Sequence, residues 1–153
     1  MDGCRPAGRF SKQQRVTRRR EFREAQAESR RVVTRHFVLL LRARPLPDAP
    51  IPDTGVNLGA RVARLGITAS RKVGNAVLRN RAKRLVREAF RATRELWADG
   101  LDIIVIVKHF DSEQKLAHVT NEWLEARGRI RRSSVDALAR KPKLHVPLET
   151  EKA

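Results

Sequence analysis

Ten residues between Arg64 and Arg94 are cationic (Arg64, Arg71, Lys72, Arg79, Arg81, Lys83, Arg84, Arg87, Arg91 and Arg94), against a single acid, Glu88. Cations at this density neutralise phosphates, so the chemistry on offer is the capture of a polyanion. The element that must position them is a helix predicted from Asn75 to Trp97. At 100° per residue Leu78, Ala82, Leu85, Val86, Ala89 and Leu96 share one arc, while Arg79, Lys83, Arg87, Arg91 and Arg94 form a stripe across the other side, with Asn80 and Arg84 beside it. Like charges at i,i+4 each cost an isolated helix a few tenths of a kcal/mol, so the stripe calls for an external anion. Free amides at the helix start, Asn75 to Val77, suit a phosphate as well.

Other chemistries find no constellation. His36, His109, His118 and His145 are scattered without metal-ligand spacing, and the chain has one cysteine, Cys4, so neither an internal disulfide nor a Cys-rich zinc cage is available. Gly74 precedes the helix, but neither G-x-x-x-x-G-K-[ST] nor G-x-G-x-x-G is present. Asp99, Asp102, Asp111 and Glu113 show no pairing suited to acid–base or two-metal catalysis, and Asp99-Gly100 reads as a turn. No catalytic residue and no protein-bound metal are expected.

With 153 residues and 41% hydrophobic content, the chain suits one domain with a real core. Its net charge of +17 points to nucleic acid as partner. The apolar runs Phe37 to Leu41 and Ile103 to Val107 are too short to span a membrane, and the first 31 residues lack the apolar segment of a signal peptide. With the lone cysteine, this predicts a cytoplasmic protein.

Residues 1–14 read as a flexible basic arm, 15–132 as the folded domain, and 133–153 as a disordered polar tail. A helix is predicted from Thr17, as N-cap, to Ser29. Strands follow at Val32-Val33 and His36 to Arg42, and Pro45, Pro47, Pro50 and Pro52 make 44–57 a loop. Leu65 to Ser70 alternates, with Leu65, Ile67 and Ala69 facing one way and Gly66, Thr68 and Ser70 the other. Ile103 to Val107 is a β-branched run expected to be covered on both faces. A last helix is predicted from Ser112 to Arg131, with Trp123 on its apolar stripe as a core residue.

The segment Arg71-Lys72-Val73-Gly74-Asn75-Ala76-Val77, running into Arg79-Asn80-Arg81, Lys83-Arg84 and Arg87-Glu88, resembles the signature of the bacterial ribonuclease P protein subunit. The resemblance extends from Arg15 to Arg131, through the helix bearing Phe22 and the strand Arg35-His36-Phe37-Val38-Leu39. It implies an α+β fold: a single-domain α-β-β-β-α-β-α sandwich like the second domain of a small-subunit ribosomal protein. It further implies a left-handed β-α-β crossover, against the roughly 98% right-handed rule.

In that family an RNA with bound Mg2+ is the catalyst that removes the 5′ leader of precursor tRNA, and the protein is a cofactor without catalytic residues. The resemblance implies two surfaces and one protein per RNA. Arg71, Lys72, Asn75, Arg79, Asn80, Arg81, Lys83, Arg84 and Arg87 would contact the ribonuclease P RNA. Phe22, Gln26, Phe37, Leu40, Thr68 and Ser70 would line a cleft for the single-stranded leader. Gln26 and Leu40 stand where many members carry aromatics, and the chain has no tyrosine, which implies a weaker grip on the leader. For Phe22 and Phe37 a plain core role stays open. A ribosomal or general RNA-binding protein of the same fold is the rival reading. A DNA-binding repressor ranks behind it, for want of a helix-turn-helix pattern.

Overall fold

The structure, a computed structural model, describes residues 15–16, 19–44 and 63–140; the expected N-terminal arm, the Thr17 cap, the Pro-rich loop past Arg44 and the chain beyond Arg140 lie outside them. The order of elements is α1 (Arg19–Glu28), β1 (Arg30–Val33), β2 (Phe37–Ala43), β3 (Arg64–Ala69), α2 (Ala76–Ala92), β4 (Leu101–Val107), α3 (Leu116–Glu125) and α4 (Arg127–Ala139). The four strands form one sheet in the order β1-β2-β4-β3, antiparallel except for β3 beside β4. A parallel neighbour cannot be reached by a hairpin, so α2 is the crossover that joins β3 to β4.

Alternation along the strands assigns the two faces. Phe37, Leu39 and Leu41 of β2, Leu65 of β3, and Ile103 and Val105 of β4 point toward α2, α3 and α4, where Ala82, Val86, Ala89, Phe90, Trp123 and Ile130 complete the main core. Trp123 is fully buried, edge-on to Phe37 at 5.9 Å and to Trp97 at 5.4 Å between ring centroids, as its core assignment requires. Among the described residues the opposite face carries the helix α1, over a smaller cluster of Val16, Ala25, Leu40 and Ile104.

Three boundaries differ from expectation. The basic helix stops at Ala92 because the Thr93 hydroxyl donates to the Ala89 carbonyl (2.7 Å) and accepts from the Trp97 indole N–H (3.2 Å), which turns the chain before Trp97. The last helix starts only at Leu116: Asp111 accepts the Glu113 N–H (2.9 Å), and the Lys115 N–H is taken by Nδ1 of His118 (3.0 Å). After a one-residue break at Ala126 the chain forms α4, so residues 133–139 are helix rather than tail, and the fold has an eighth element. The segment looks polar, but Ile130, Ser134 and Ala137 fall on one face and are buried, and the Ser134 hydroxyl donates to the Ile130 carbonyl at 2.7 Å.

Gly66 sets how closely α1 approaches. A Cβ there would lie 2.7 Å from Cδ1 of Ile104 and 2.8 Å from Cζ of Phe22, so the Phe22 ring rests directly on the strand backbone. Gly66→Ala is expected to cost about 1–3 kcal/mol through overpacking, read as a lower midpoint of thermal unfolding. An unchanged midpoint would mean that the ring swings aside freely.

Candidate RNA interface

β3 runs into α2 through a tight single turn. Ser70 ends the strand, its carbonyl accepts the Val73 N–H (3.0 Å), and the buried Val73 side chain pins the turn Arg71–Val73 so that Arg71 and Lys72 stay exposed. Gly74 follows with φ +150°, and a Cβ there would lie 2.6 Å from Cδ2 of Leu78, so only glycine fits without strain. Asn75 is the N-cap: its carboxamide oxygen accepts the Leu78 N–H at 2.9 Å while the residue stays exposed. A residue expected to touch RNA thus also fixes where the basic helix begins.

Burial of Ala82, Val86, Ala89 and Phe90 fixes the rotation of α2 and turns the cations outward. Arg79, Lys83 and Arg87 follow one another at i,i+4 along one half-buried flank, Asn80 and Arg84 are exposed on the crest, and Arg81 is exposed, its Nη2 donating to the Gln114 carbonyl at 3.3 Å. Among the described residues none of Arg71, Lys72, Arg79, Arg81, Lys83, Arg84 and Arg87 forms an ion pair, and the buried Nε of Arg79 has no partner. Burial, then the charges of Arg15 and Arg84, lower the Arg87 guanidinium from its ordinary value.

Arginines elsewhere in the sheet are treated differently. Arg64 binds Asp102 through two contacts (2.8 and 2.7 Å) and reaches Glu21 (3.2 Å), Arg44 contacts Asp102 at 3.3 Å, and Arg42 contacts Glu24 at 3.0 Å. Arg64 therefore leaves the set of phosphate-binding cations. The two guanidiniums around Asp102 shift in opposite directions: the hydrogen bond to Asp102 raises Arg64, whereas burial, then the charge of Arg64, lower Arg44. The bidentate geometry makes Arg64 the principal partner of the buried carboxylate.

Three rows of side chains cross the open face of the sheet. Arg64, Asp102 and Arg42 form an ionic row that Glu21 and Glu24 tie to α1; Gly66, Ile104, Leu40 and Arg31 form the next, largely beneath Phe22 and Ala25; Thr68, Ile106, Val38 and Val33 form the third. The third row is a shelf about 14 Å long, three strand spacings of roughly 4.8 Å. Its first three members are half-buried and Val33 is 45% exposed.

The shelf revises the expected cleft. Phe22 is half-buried at its wall, Gln26 is exposed one turn further along α1, Thr68 is in the shelf and Ser70 is exposed beyond it. Phe37 lies on the opposite face, fully buried against Trp123, and takes the core role. Leu40 is on the correct face but only 1% exposed, beneath α1, and cannot touch a ligand. Val33, Val38 and Ile106, absent from the expected cleft, share the row with Thr68: Val38 lies two residues before Leu40 on the same face, and strand register brings the others beside it.

His36 and Glu122 tie the start of β2 to α3. His36 gives its backbone N–H to Oε1 of Glu122 (2.7 Å), with Nδ1 at 3.2 Å from the same oxygen. Among the described residues no three His, Cys, Asp or Glu side chains gather to hold a metal ion, and no helix is long and apolar enough to cross a membrane.

A family model described as Ribonuclease P matches residues 10–131. The ribonuclease P protein component of Syntrophus aciditrophicus is 35% identical over 113 residues, covering 74% of this chain and 83% of the relative. That of Desulfovibrio desulfuricans is 39% identical over 115 residues, covering 74% and 79%. Among solved structures, the RNase P protein of Staphylococcus aureus superposes with a TM-score of 0.58 at 28% identity, over 78% of this chain and 96% of that one. The Thermotoga maritima protein gives 0.57 at 28% identity, over 75% and 96%.

Proposed function

The chain belongs to the ribonuclease P protein family, and we propose that within the ribonucleoprotein it uses two surfaces, one for the catalytic RNA and one for the 5′ leader of precursor tRNA. Members are subunits of the particle that processes tRNA 5′ ends, with RNA-based catalysis, so the partner of this chain is ribonuclease P RNA. In our reading α2 and the turn before it dock on that RNA, one protein per RNA, through Arg71, Lys72, Asn75, Arg79, Asn80, Arg81, Lys83, Arg84 and Arg87. The shelf, walled by Phe22, takes the leader. Mg2+ enters with the RNA, and the protein's part is to lower the cost of joining two polyanions and to place the leader.

One observation carries this reading. The fold pairs Arg42, Arg44 and Arg64 with carboxylates, yet it leaves Arg79, Arg81, Lys83, Arg84 and Arg87 of α2 without an ion pair among the described residues. Arginine there offers two parallel N–H groups to a phosphate, which suits positioning on a folded RNA rather than reading its sequence.

Cleavage of a leader-bearing precursor by ribonuclease P RNA at low Mg2+, with and without the protein, tests the role directly. Cleavage at the mature 5′ end that needs both components is the expected result, and binding without stimulation would sink the cofactor role. Phe22→Ala is expected to weaken the holoenzyme's affinity for precursor about tenfold, within the roughly 1–3 kcal/mol of one stacked base, and to spare mature tRNA. Equal losses for both would return Phe22 to the small core.

A further inference from the structure

At its β3 end the shelf meets Ser70 and the turn into α2. At its β1 end it meets a second group of arginines that the α2 surface does not use. Val33 closes the row there, and its carbonyl accepts a hydrogen bond from Nη1 of Arg129 in α4 at 2.8 Å. Arg31 lies two residues before Val33 on the same face of β1 and is exposed. Arg132 is exposed one turn after Arg129 on the same side of α4, where its Nε reaches only the Gly128 carbonyl at 3.4 Å. None of the three forms an ion pair among the described residues; the neighbouring acid, Asp136, is 3.9 Å from Arg30.

Helix α4 opens with four arginines in six residues, Arg127 to Arg132, and no acid among them. Arg129 and Arg132 repel at i,i+3, as Arg127 and Arg131 do at i,i+4, at a cost that an external anion removes. The hydrogen bond from Arg129 occupies one of five N–H donors and holds the guanidinium at the end of the shelf with the others available.

From these positions we infer that Arg31, Arg129 and Arg132 form a phosphate-binding subsite for the upstream part of the leader. The inference rests on the assignment of the shelf to the leader. Direction follows from placement. The catalytic RNA docks at α2, so the nucleotides nearest the cleaved bond enter at the β3 end. The β1 end, about 14 Å away across the sheet, then meets nucleotides farther upstream. Their bases are not read; guanidiniums around an apolar shelf hold backbone phosphates whatever the sequence.

The test compares two precursors in the reconstituted holoenzyme, one whose leader ends on the shelf and one whose leader runs past it. For Arg31→Gln/Arg129→Gln/Arg132→Gln, affinity for the long-leader precursor should fall about tenfold and its salt slope by about two, while the short-leader precursor binds as before. A second variant, Arg31→Gln/Arg132→Gln, keeps the Arg129–Val33 bond and should show the same selectivity at smaller size, which guards against a folding defect. Equal loss for both precursors would place these arginines on tRNA or catalytic RNA and overturn the subsite, as would no loss for either. Should the wild-type holoenzyme fail to distinguish leader-bearing from mature tRNA, the shelf assignment itself falls, an outcome separate from both.

Discussion

Replacing Arg79, Lys83 and Arg87 together by glutamine is expected to lower affinity for ribonuclease P RNA on the order of 100-fold at about 0.1 M salt, and to reduce the slope of log K against log salt by two to three. These residues are consecutive at i,i+4 on one flank of α2, and burial, then the charges of Arg15 and Arg84, lower the Arg87 guanidinium. A structural role predicts the opposite for the free protein. If the cations served the fold, the variant would unfold more easily; if they are held for RNA, removing like charges should leave the midpoint unchanged or raise it slightly. Titration of RNA over a salt series, beside thermal unfolding of the free protein, separates the two. An unchanged salt slope would mean that the flank does not touch phosphate.

The second large effect concerns stability. Asp102 is 3% exposed and holds Arg64 and Arg44, so Asp102→Ala takes the shared carboxylate from both guanidiniums and leaves Arg64 with its longer contact to Glu21. Removing one member of such a buried pair costs about 3–5 kcal/mol, a fall of roughly 10 °C or more in unfolding midpoint for a chain of this size. Because the bidentate bond belongs to Arg64, Arg64→Gln should destabilise more than Arg44→Gln. Equal effects, or an Asp102→Ala midpoint close to wild type, would show that the row is solvated and carries little. The salt slope for RNA should not change in molecules that remain folded, since this row lies away from α2.

Elements with a clean period were legible from residues alone. The apolar arc of α2 needs no tertiary information, and the alternation of Leu65 to Ser70 gave both faces of β3 correctly. Faces in β2 were harder, because Phe37 to Leu41 is apolar throughout and alternation leaves no mark in such a run. Phe37 therefore fell in the wrong surface and Val38 was overlooked. The polar look of 133–139 hid a helix that needs only Ile130, Ser134 and Ala137 on one side. Long-range charge pairing was invisible: nothing local in Arg64 separates it from Arg79, and only the fold brings Asp102 to one and leaves the other open.

The two apolar clusters are unequal, and that inequality divides the molecule into units of different cooperativity. Helix α1 rests on Val16, Ala25, Leu40 and Ile104 together with its ionic row, whereas α2 and Trp123 belong to the large core on the other side of the sheet. Undocking α1 exposes little of that core, so it requires far less than global unfolding. The surface we propose for the catalytic RNA is thus built on the larger core, and the wall we propose for the leader on the smaller, more yielding one. A particle that must accept many different leaders on one fixed RNA gains from having its compliance there.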